Sequence, residues 1–236
     1  MKKIIFTLFI LIISFTAIAK EYNENETKDC SKNSVLMFCD LNGNTITGFI
    51  KKYYKNSNLK GEIPLKDGKI DGIGKLYYEN GNLEKEMNYK NGKREGSTKT
   101  YYENGNLEQE INYKDDKPEG LLKMYSENGN LEQEINYKDG KMNLNKEYFD
   151  NGNLKVEINY KDDKITSSKM YFEGGSLRLE MNHEGLKTYY WNGDLEQEVY
   201  FKDGKAISGY MYDVSGKKIE MTNVHLHNMM KNIKIN

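Results

Sequence analysis

The chain has 236 residues, of which 30% are charged and only 37% are hydrophobic, and its formal net charge is −1. Such a polar composition leaves little to fill a thick globular core, while 19 Tyr and 8 Phe argue against a disordered chain. A chain without excess positive charge is also a poor candidate for binding nucleic acid or an anionic membrane surface. Abundant glycine with only two prolines favours many short strands joined by tight turns.

Residues 1–19 have the pattern of a secretory signal peptide. Lys2 and Lys3 form a charged start, residues 4–15 are an apolar run, and Ala17 and Ala19 form a small-x-small cleavage site. An uncleaved membrane anchor is the alternative, but the run is shorter than the ~20 apolar residues of a spanning helix. We therefore expect cleavage after Ala19, export to the periplasm or the extracellular space, and no stable membrane insertion afterwards.

Residues 20–47 form a predicted N-terminal cap that contains both cysteines of the chain, Cys30 and Cys39. In an exported protein, an even pair this close favours a local disulfide. Two free thiols are the alternative. A metal site is less favoured, because two cysteines without a neighbouring histidine cannot complete a tetrahedral ligand shell.

A turn sequence recurs through the rest of the chain, which indicates a repeat array over residues 48–216. Successive turns are 23 or 24 residues apart, except for one interval of 18 residues between Gly174 and Asn192. In this shortened unit a second turn is lost near His183, which we expect to pack where other units carry Tyr or Phe. The turns lie at Asn56-Ser57, Asn80-Gly81, Asn104-Gly105, Asn128-Gly129, Asn151-Gly152, Gly174-Gly175, Asn192-Gly193 and Ser215-Gly216.

Each unit is predicted to be two β-strands and two turns, because apolar and polar residues alternate between the turns. Asn-Gly favours a two-residue type I′ turn, and this register pairs Lys75 with Glu86. Tyr78, Leu83 and Met87 would then share one face, opposite a ladder of Lys, Tyr, Glu and Asn. A three-residue loop is the alternative. The predicted fold class is all-β: an elongated, twisted antiparallel meander of stacked β-hairpins.

The repeated unit resembles the MORN repeat in its bacterial variant form, most clearly in GIGKLYYENGNLEKEMNYKNGK at residues 72–93. The resemblance implies rows of β-hairpins that act as interaction modules, without common catalytic residues. Some bacterial relatives are labelled antitoxin-like. Residues 217–236 leave the pattern and are predicted to be a C-terminal cap or tail that covers the open sheet edge, as a short helix or an irregular strand.

Enzyme chemistry is poorly supported by the sequence. Repeated carboxylates such as Glu108 and Glu110 are typical of a solvated strand face, and no nucleophile or phosphate-binding motif is present. His225 and His227 would share a face of a strand, which leaves a zinc site as a disfavoured alternative to a solvated tail. We expect no enzyme activity, no cofactor and no metal.

A column of tyrosines is the candidate binding surface, because each tyrosine follows a lysine by two residues and supplies large contact area. The alternative is that these rings only cover their neighbours and stiffen the sheet. We expect a non-catalytic binding or scaffold protein of the bacterial envelope or secreted fraction, with a protein partner and, as a further option, a glycan. An immunity or antitoxin-like protein is the second hypothesis. The candidate partner-binding residues are Tyr77, Tyr101, Tyr125, Tyr148, Tyr171 and Tyr189.

Overall fold

The computed structural model describes residues 20–30 and 37–232. The predicted signal peptide, residues 1–19, lies outside the described residues and stays a prediction. Besides a short 3₁₀ turn (Glu24–Glu26), the described elements are twenty strands and one helix, α1 (Asn223–Asn232). The strands are β1 (Glu21–Asn23), β2 (Thr27–Asp29), β3 (Phe38–Asp40), β4 (Gly48–Tyr53), β5 (Leu59–Lys66), β6 (Lys69–Ile70), β7 (Gly72–Tyr77), β8 (Leu83–Lys90), β9 (Lys93–Tyr101), β10 (Leu107–Lys114), β11 (Lys117–Tyr125), β12 (Leu131–Lys138), β13 (Lys141–Tyr148), β14 (Leu154–Lys161), β15 (Lys164–Tyr171), β16 (Leu177–Asn182), β17 (Gly185–Tyr189), β18 (Leu195–Lys202), β19 (Lys205–Tyr212) and β20 (Lys218–Glu220).

One sheet contains all strands except β2 and β3, which pair only with each other. Strand β1 pairs in parallel with β4, and from β4 onward each strand pairs antiparallel with the next, with β6 and β7 both alongside β5. The sheet is open, with β1 and β20 at its edges among the described strands. The predicted meander of β-hairpins is confirmed.

The turn at Asn80-Gly81 is a three-residue loop, so the predicted two-residue type I′ turn is wrong. The Tyr78 N–H donates to the Asn82 carbonyl at 2.8 Å, and the Gly81 N–H donates to the Tyr78 carbonyl at 2.9 Å. Only Gly81 has a positive φ, +93°, whereas type I′ needs one at Asn80 as well. A type I turn followed by a left-handed glycine fits both observations.

A β-bulge after this loop restores the predicted pairing further along the strands. Tyr77 pairs with Leu83, but Lys75 pairs with Glu86, because one extra residue is accommodated in β8. Since paired residues share a face of the sheet, Leu83 lies on the face of Tyr77 and not, as predicted, with Met87. The alternative prediction of a three-residue loop is therefore confirmed, and so is the Lys75–Glu86 pairing of the preferred register.

The second turn of each regular unit, where Asn-Gly or Asp-Gly again favours type I′, is a two-residue type I′ turn. Lys90 pairs with Lys93, and the two residues between them have φ of +52° and +86°. Asp139-Gly140 and Asp203-Gly204 have the same signs. Asn and Asp tolerate this left-handed conformation better than other residues with a side chain.

The predicted ladder of alternating charges runs along one face of the sheet without a break, through the shortened unit as well. Each ladder lysine after Lys51 pairs with a glutamate on both neighbouring strands, and we call this side the charged face. The ladder consists of Lys51, Glu62, Lys75, Glu86, Lys99, Glu110, Lys123, Glu134, Lys146, Glu157, Lys169, Glu180, Lys187 and Glu198.

The opposite side, which we call the apolar face, carries a central row in which most residues are apolar. Its most buried part in the middle of the array is the cluster of Ile111, Leu122 and Ile135. The row consists of Ile50, Ile63, Gly74, Met87, Thr98, Ile111, Leu122, Ile135, Asn145, Ile158, Ser168, Met181, Leu186, Val199 and Gly209.

Both ends of the apolar face are covered by segments outside the repeats. At the first end, Ile46 and Phe38 pack on Ile50 and Leu65. At the last end, Leu226 of α1 packs with Met221 and Val199 over Gly209. The tail therefore covers a face of the last hairpin, while the short strand β20 forms the edge. None of the described helices is long and apolar enough to span a membrane.

Candidate binding surfaces

The six candidate tyrosines lie in one column on the charged face, two residues beyond the ladder lysines. Three of their hydroxyls donate to a ladder carboxylate on the preceding strand: Tyr77 to Glu62 at 3.2 Å, Tyr148 to Glu134 at 2.7 Å, and Tyr189 to Glu180 at 2.7 Å. All six side chains are partly buried. The column is therefore part of the ladder, and its contact with a partner stays a prediction.

The ladder carboxylates perturb these phenols electrostatically. Burial raises the pKa of Tyr189 to about 12, and the hydrogen bond and the charge of Glu180 act in the same direction. Burial also raises the pKa of Tyr148, again with help from the Glu134 carboxylate. Near neutral pH each of these hydroxyls stays protonated and donates a hydrogen bond to its carboxylate, which gives the half-buried carboxylate a hydrogen-bond partner.

A second set of residues, which the sequence reasoning missed, links neighbouring hairpins. The Tyr78 hydroxyl donates to the Tyr101 carbonyl at 2.7 Å, and the Asn82 side-chain amide donates to the Glu103 carbonyl at 2.8 Å. Asn80 closes its own loop by accepting the Asn82 N–H at 2.8 Å. The repeated sequence Tyr-Glu-Asn-Gly-Asn therefore forms a turn and also bonds to the next hairpin. We call the hydrogen bond from the tyrosine hydroxyl to the carbonyl of the next column tyrosine the latch. The signal for it in the sequence is the second tyrosine that directly follows Tyr77, Tyr101 and Tyr189. The same latch joins Tyr54 to Tyr77, Tyr102 to Tyr125 and Tyr190 to Tyr212.

The middle of the apolar face is a second candidate surface. Met124, Met142, Tyr113 and Tyr137 pack around the central cluster and remain partly exposed. Of the described elements, only β2, β3, the 3₁₀ turn and α1 lie outside the main sheet, and those that pack on it do so at its two ends. Nothing described covers this stretch.

The shortened unit differs from the regular ones because β16 ends at Asn182 and β17 starts at Gly185. His183 lies in the tight loop between them with its side chain 86% exposed, so the prediction that it packs in place of an aromatic ring is wrong. A Cβ on Gly185 would lie 2.2 Å from the Val199 carbonyl oxygen, so only glycine fits there. Gly185 and Ser167 line a depression of about 460 Å³ on the charged face, together with the ladder residues Lys169, Glu180 and Lys187.

The last ladder carboxylate, Glu198, is 8% exposed and accepts three hydrogen bonds. The donors are Tyr212 at 2.5 Å, Tyr200 at 2.9 Å and Lys218 at 3.1 Å. Burial alone would raise the pKa of Glu198, but these donors outweigh burial and hold it below its usual range. Glu198 is thus a satisfied structural anion where the ladder meets the C-terminal edge.

The cysteines and histidines take structural or exposed positions. Cys30 and Cys39 form a disulfide with their Cα atoms 5.9 Å apart, and it ties β2 to β3 in the N-terminal cap. His225 and His227 lie in helix α1, one of the two forms expected for the tail, so they do not share the face of a strand. Across residues 20–30 and 37–232, no group of three or more His, Cys, Asp or Glu side chains is arranged to hold a metal ion.

Comparison with known proteins agrees with the geometry. The family model described as "MORN repeat variant" matches residues 70–91, 94–115, 118–139 and 144–162. No curated protein matches the chain. A chain in the crystal structure of TcdB2-TccC3-TEV is similar over 80% of this chain and 13% of its own length, with 15% identity and a TM-score of 0.21. Four family matches in a row, over consecutive hairpins of the main sheet, show that residues 70–162 consist of four copies of the MORN repeat in its variant form.

Proposed function

We propose that this chain is a non-catalytic, exported binding protein that holds a protein partner on the middle of its apolar face. The observation that carries the proposal is the contrast along this face: both ends are covered by cap residues, while the stretch between them is bare. Contiguous apolar surface of this kind marks an interaction site in a soluble protein.

The chemistry of the bare stretch suits a protein partner. Ile165 and Met170 are 43% and 40% exposed, and Met124 and Met142 extend the patch toward the centre. Methionine adapts its shape to a partner, and Tyr and Met are enriched in protein interfaces. The charged face is less suited to form the core of an interface, because Lys and Glu, which make up its ladder, are depleted in protein interfaces.

Export is supported by two features. The N-terminal sequence has the pattern of a signal peptide. The Cys30–Cys39 disulfide belongs to an oxidising compartment such as the periplasm or the extracellular space. Secretion of the full-length chain with loss of residues 1–19 tests this part, and retention of the uncleaved chain in the cytoplasm contradicts it.

The proposal of a non-catalytic protein rests on the roles that the recurring polar groups already have. The ladder glutamates pair with lysines, and several of them accept a hydrogen bond from a column tyrosine. The turn asparagines form hydrogen bonds that close their own loops and join neighbouring hairpins. A catalytic carboxylate would need an environment that sets it apart from its copies. Every one of these carboxylates except Glu198 sits in a repeated environment.

The binding face can be tested with matched charge substitutions. Ile165→Glu and Met170→Glu alter the apolar face, while Ile73→Glu and Leu121→Glu alter equally exposed positions on the charged face, at 44% and 39%. The mature chain captures its partner from the native organism, and binding is then measured with the purified partner. We expect at least roughly tenfold weaker binding for the first pair only.

Loss of binding with Ile73→Glu or Leu121→Glu alone would place the partner on the charged face. The tyrosine column is then tested by Tyr101→Ala with Tyr125→Ala, where weaker binding without a matching fall in melting temperature supports the column. Partner identity also decides between a general binding protein and the antitoxin-like alternative, which requires one toxic protein whose activity the chain blocks.

A further inference from the structure

The shortened unit contains a second depression, on the apolar face close to the hairpin turns. Its volume is about 390 Å³, within the range of about 300–1,000 Å³ typical of small-molecule sites. It lies between the β15–β16 hairpin and the β17–β18 hairpin, and we call it the indole cleft. Its main lining residues are Phe172, Arg178, Thr188, Tyr190, Trp191 and Glu196.

Trp191, the only tryptophan of the chain, is 79% exposed at the edge of this cleft. It is the first residue of its hairpin loop, and the five hairpins directly before it carry an acidic residue at this place. The Ser176 hydroxyl donates to the Trp191 carbonyl at 3.1 Å, which fixes the backbone of the loop. Trp191 therefore exposes a large apolar ring to solvent at a place where those hairpins expose a carboxylate. The equivalent residues are Glu79, Glu103, Glu127, Asp150 and Glu173.

Polar groups of both kinds line the same cleft. The Arg178 guanidinium lies 5.7 Å from the centre of the Phe172 ring, over its face. The Thr188 hydroxyl donates to a Glu196 carboxylate oxygen at 3.0 Å. A flat exposed indole thus lies beside a fixed fork of donors and a carboxylate acceptor whose charges cancel.

We propose that the indole cleft is a binding site for a neutral glycan, with one hexopyranose ring stacked on Trp191. The C–H face of a pyranose packs on an aromatic ring, while its hydroxyls both donate and accept hydrogen bonds. Glu196 accepts from such hydroxyls and Arg178 donates to them. The balanced charge favours an uncharged sugar over a uronic acid or an amine. This site adjoins the proposed protein-binding stretch, since Met170 pairs with Leu179 of the cleft, but it does not depend on a protein partner.

Trp191 provides its own reporter, because no other tryptophan contributes to the fluorescence of the chain. The mature protein is titrated separately with cellopentaose, maltopentaose and chitopentaose. We expect a saturable change in tryptophan emission with at least one of them. Absence of saturable binding to all three by both fluorescence and calorimetry overturns the proposal.

Variants then locate the site by calorimetry, which needs no indole. Trp191→Ala and Arg178→Ala should each weaken binding at least roughly tenfold. Glu173→Ala and Lys155→Ala alter the equivalent places one hairpin earlier and should leave binding unchanged. Unfolding monitored by circular dichroism checks that all four variants fold. Equal binding by Trp191→Ala and the unaltered protein overturns the proposal, as does loss of a protein partner from Trp191→Ala when no oligosaccharide binds.

Discussion

The regular units, residues 72–161, and the shortened unit, residues 164–202, keep the same ladder but differ almost everywhere around it. Lys169, Glu180 and Lys187 continue the alternation of Lys99, Glu110 and the other regular positions. The central apolar row also continues, with Leu186 only 2% exposed. Cross-strand pairing near the middle of the strands therefore holds even when a turn is shortened at their end.

What the shortened unit loses is uniformity at its two ends. At one end the type I′ turn is replaced by the loop at His183, and Gly185 approaches the neighbouring backbone. At the other end Trp191 stands where the regular units have an acidic residue, and Arg178 stands where they have Glu84, Glu108, Glu132 or Lys155. Both described depressions lie in this unit. The comparison teaches that the ladder and row maintain the sheet, which leaves the ends of a unit free to acquire a particular ligand.

The largest expected effect separates the two kinds of glycine in the shortened unit. Gly185→Ala places a Cβ 2.2 Å from the Val199 carbonyl oxygen, and we expect it to lower the free energy of unfolding by about 3 kcal/mol. Gly174→Ala meets nothing within 4 Å at a residue without a positive φ, and should raise it by about 0.5 kcal/mol. Urea unfolding measures both.

The same pair of variants tests how far the destabilisation caused by a Cβ at residue 185 spreads along the sheet. Hydrogen exchange should show that Gly185→Ala loosens β17 and β18 while β8 to β12 keep their protection, because each repeat contacts mainly its neighbours. Equal stability of the two variants would mean that β17 moves aside at little cost, and the special geometry of the shortened unit would not hold.

The meander, the ladder and the second turn could be predicted from the sequence, because each depends on local periodicity or on the backbone preferences of Asn, Asp and Gly. The geometry of the first turn could not be predicted in this way. Asn80-Gly81 fits either a two-residue or a three-residue loop, and the bulge at β8 gives both the same Lys75–Glu86 pairing. A bulge adds one residue without a sequence mark, so the position of Leu83 could not be read from alternation.

The candidate surfaces were harder to predict, for a related reason. Tyr77 and Tyr78 are neighbours of the same type, yet the first bonds a ladder carboxylate and the second a backbone carbonyl of the next hairpin. Composition cannot separate these roles. The exposure of Trp191 depends on how two hairpins lie beside each other, which no single repeat specifies.

The column tyrosines should behave alike in both regions, since the ladder is continuous. Tyr148→Phe and Tyr189→Phe each remove a 2.7 Å hydrogen bond to a carboxylate. We expect each to lower the free energy of unfolding at pH 7 by about 1.5 kcal/mol, a value at the weak end for charged acceptors because solvent screens the pair. Thermal unfolding at neutral pH measures the loss.

The pH dependence gives this test a direction. The folded pKa of Tyr189 is raised from 10.0 to about 12, so its contribution is complete below pH 10 and is lost as the pH rises through 12. The difference between the protein and Tyr189→Phe should shrink over that window. A loss at Tyr189 alone, with Tyr148→Phe neutral, would show that the ladder tyrosines of the two regions are not equivalent.

The smallest expected effect concerns the latch between hairpins. Tyr102→Phe removes the hydrogen bond to the Tyr125 carbonyl while keeping the ring, and should lower the free energy of unfolding by about 0.5–1 kcal/mol. The chain itself carries phenylalanine at the equivalent positions Phe149 and Phe172. Phe149→Tyr should therefore restore a latch and stabilise the protein by a similar amount, as measured by urea unfolding.

Phe172→Tyr extends this reversal into the shortened unit. If the first turn of that unit keeps the regular geometry, the new hydroxyl reaches the Tyr189 carbonyl and the gain matches that of Phe149→Tyr. A gain at Phe149 without one at Phe172 would mean that the shortening displaces the turn end as well as the loop at His183. The indole cleft would then owe its shape to that displacement and not only to the residues that line it.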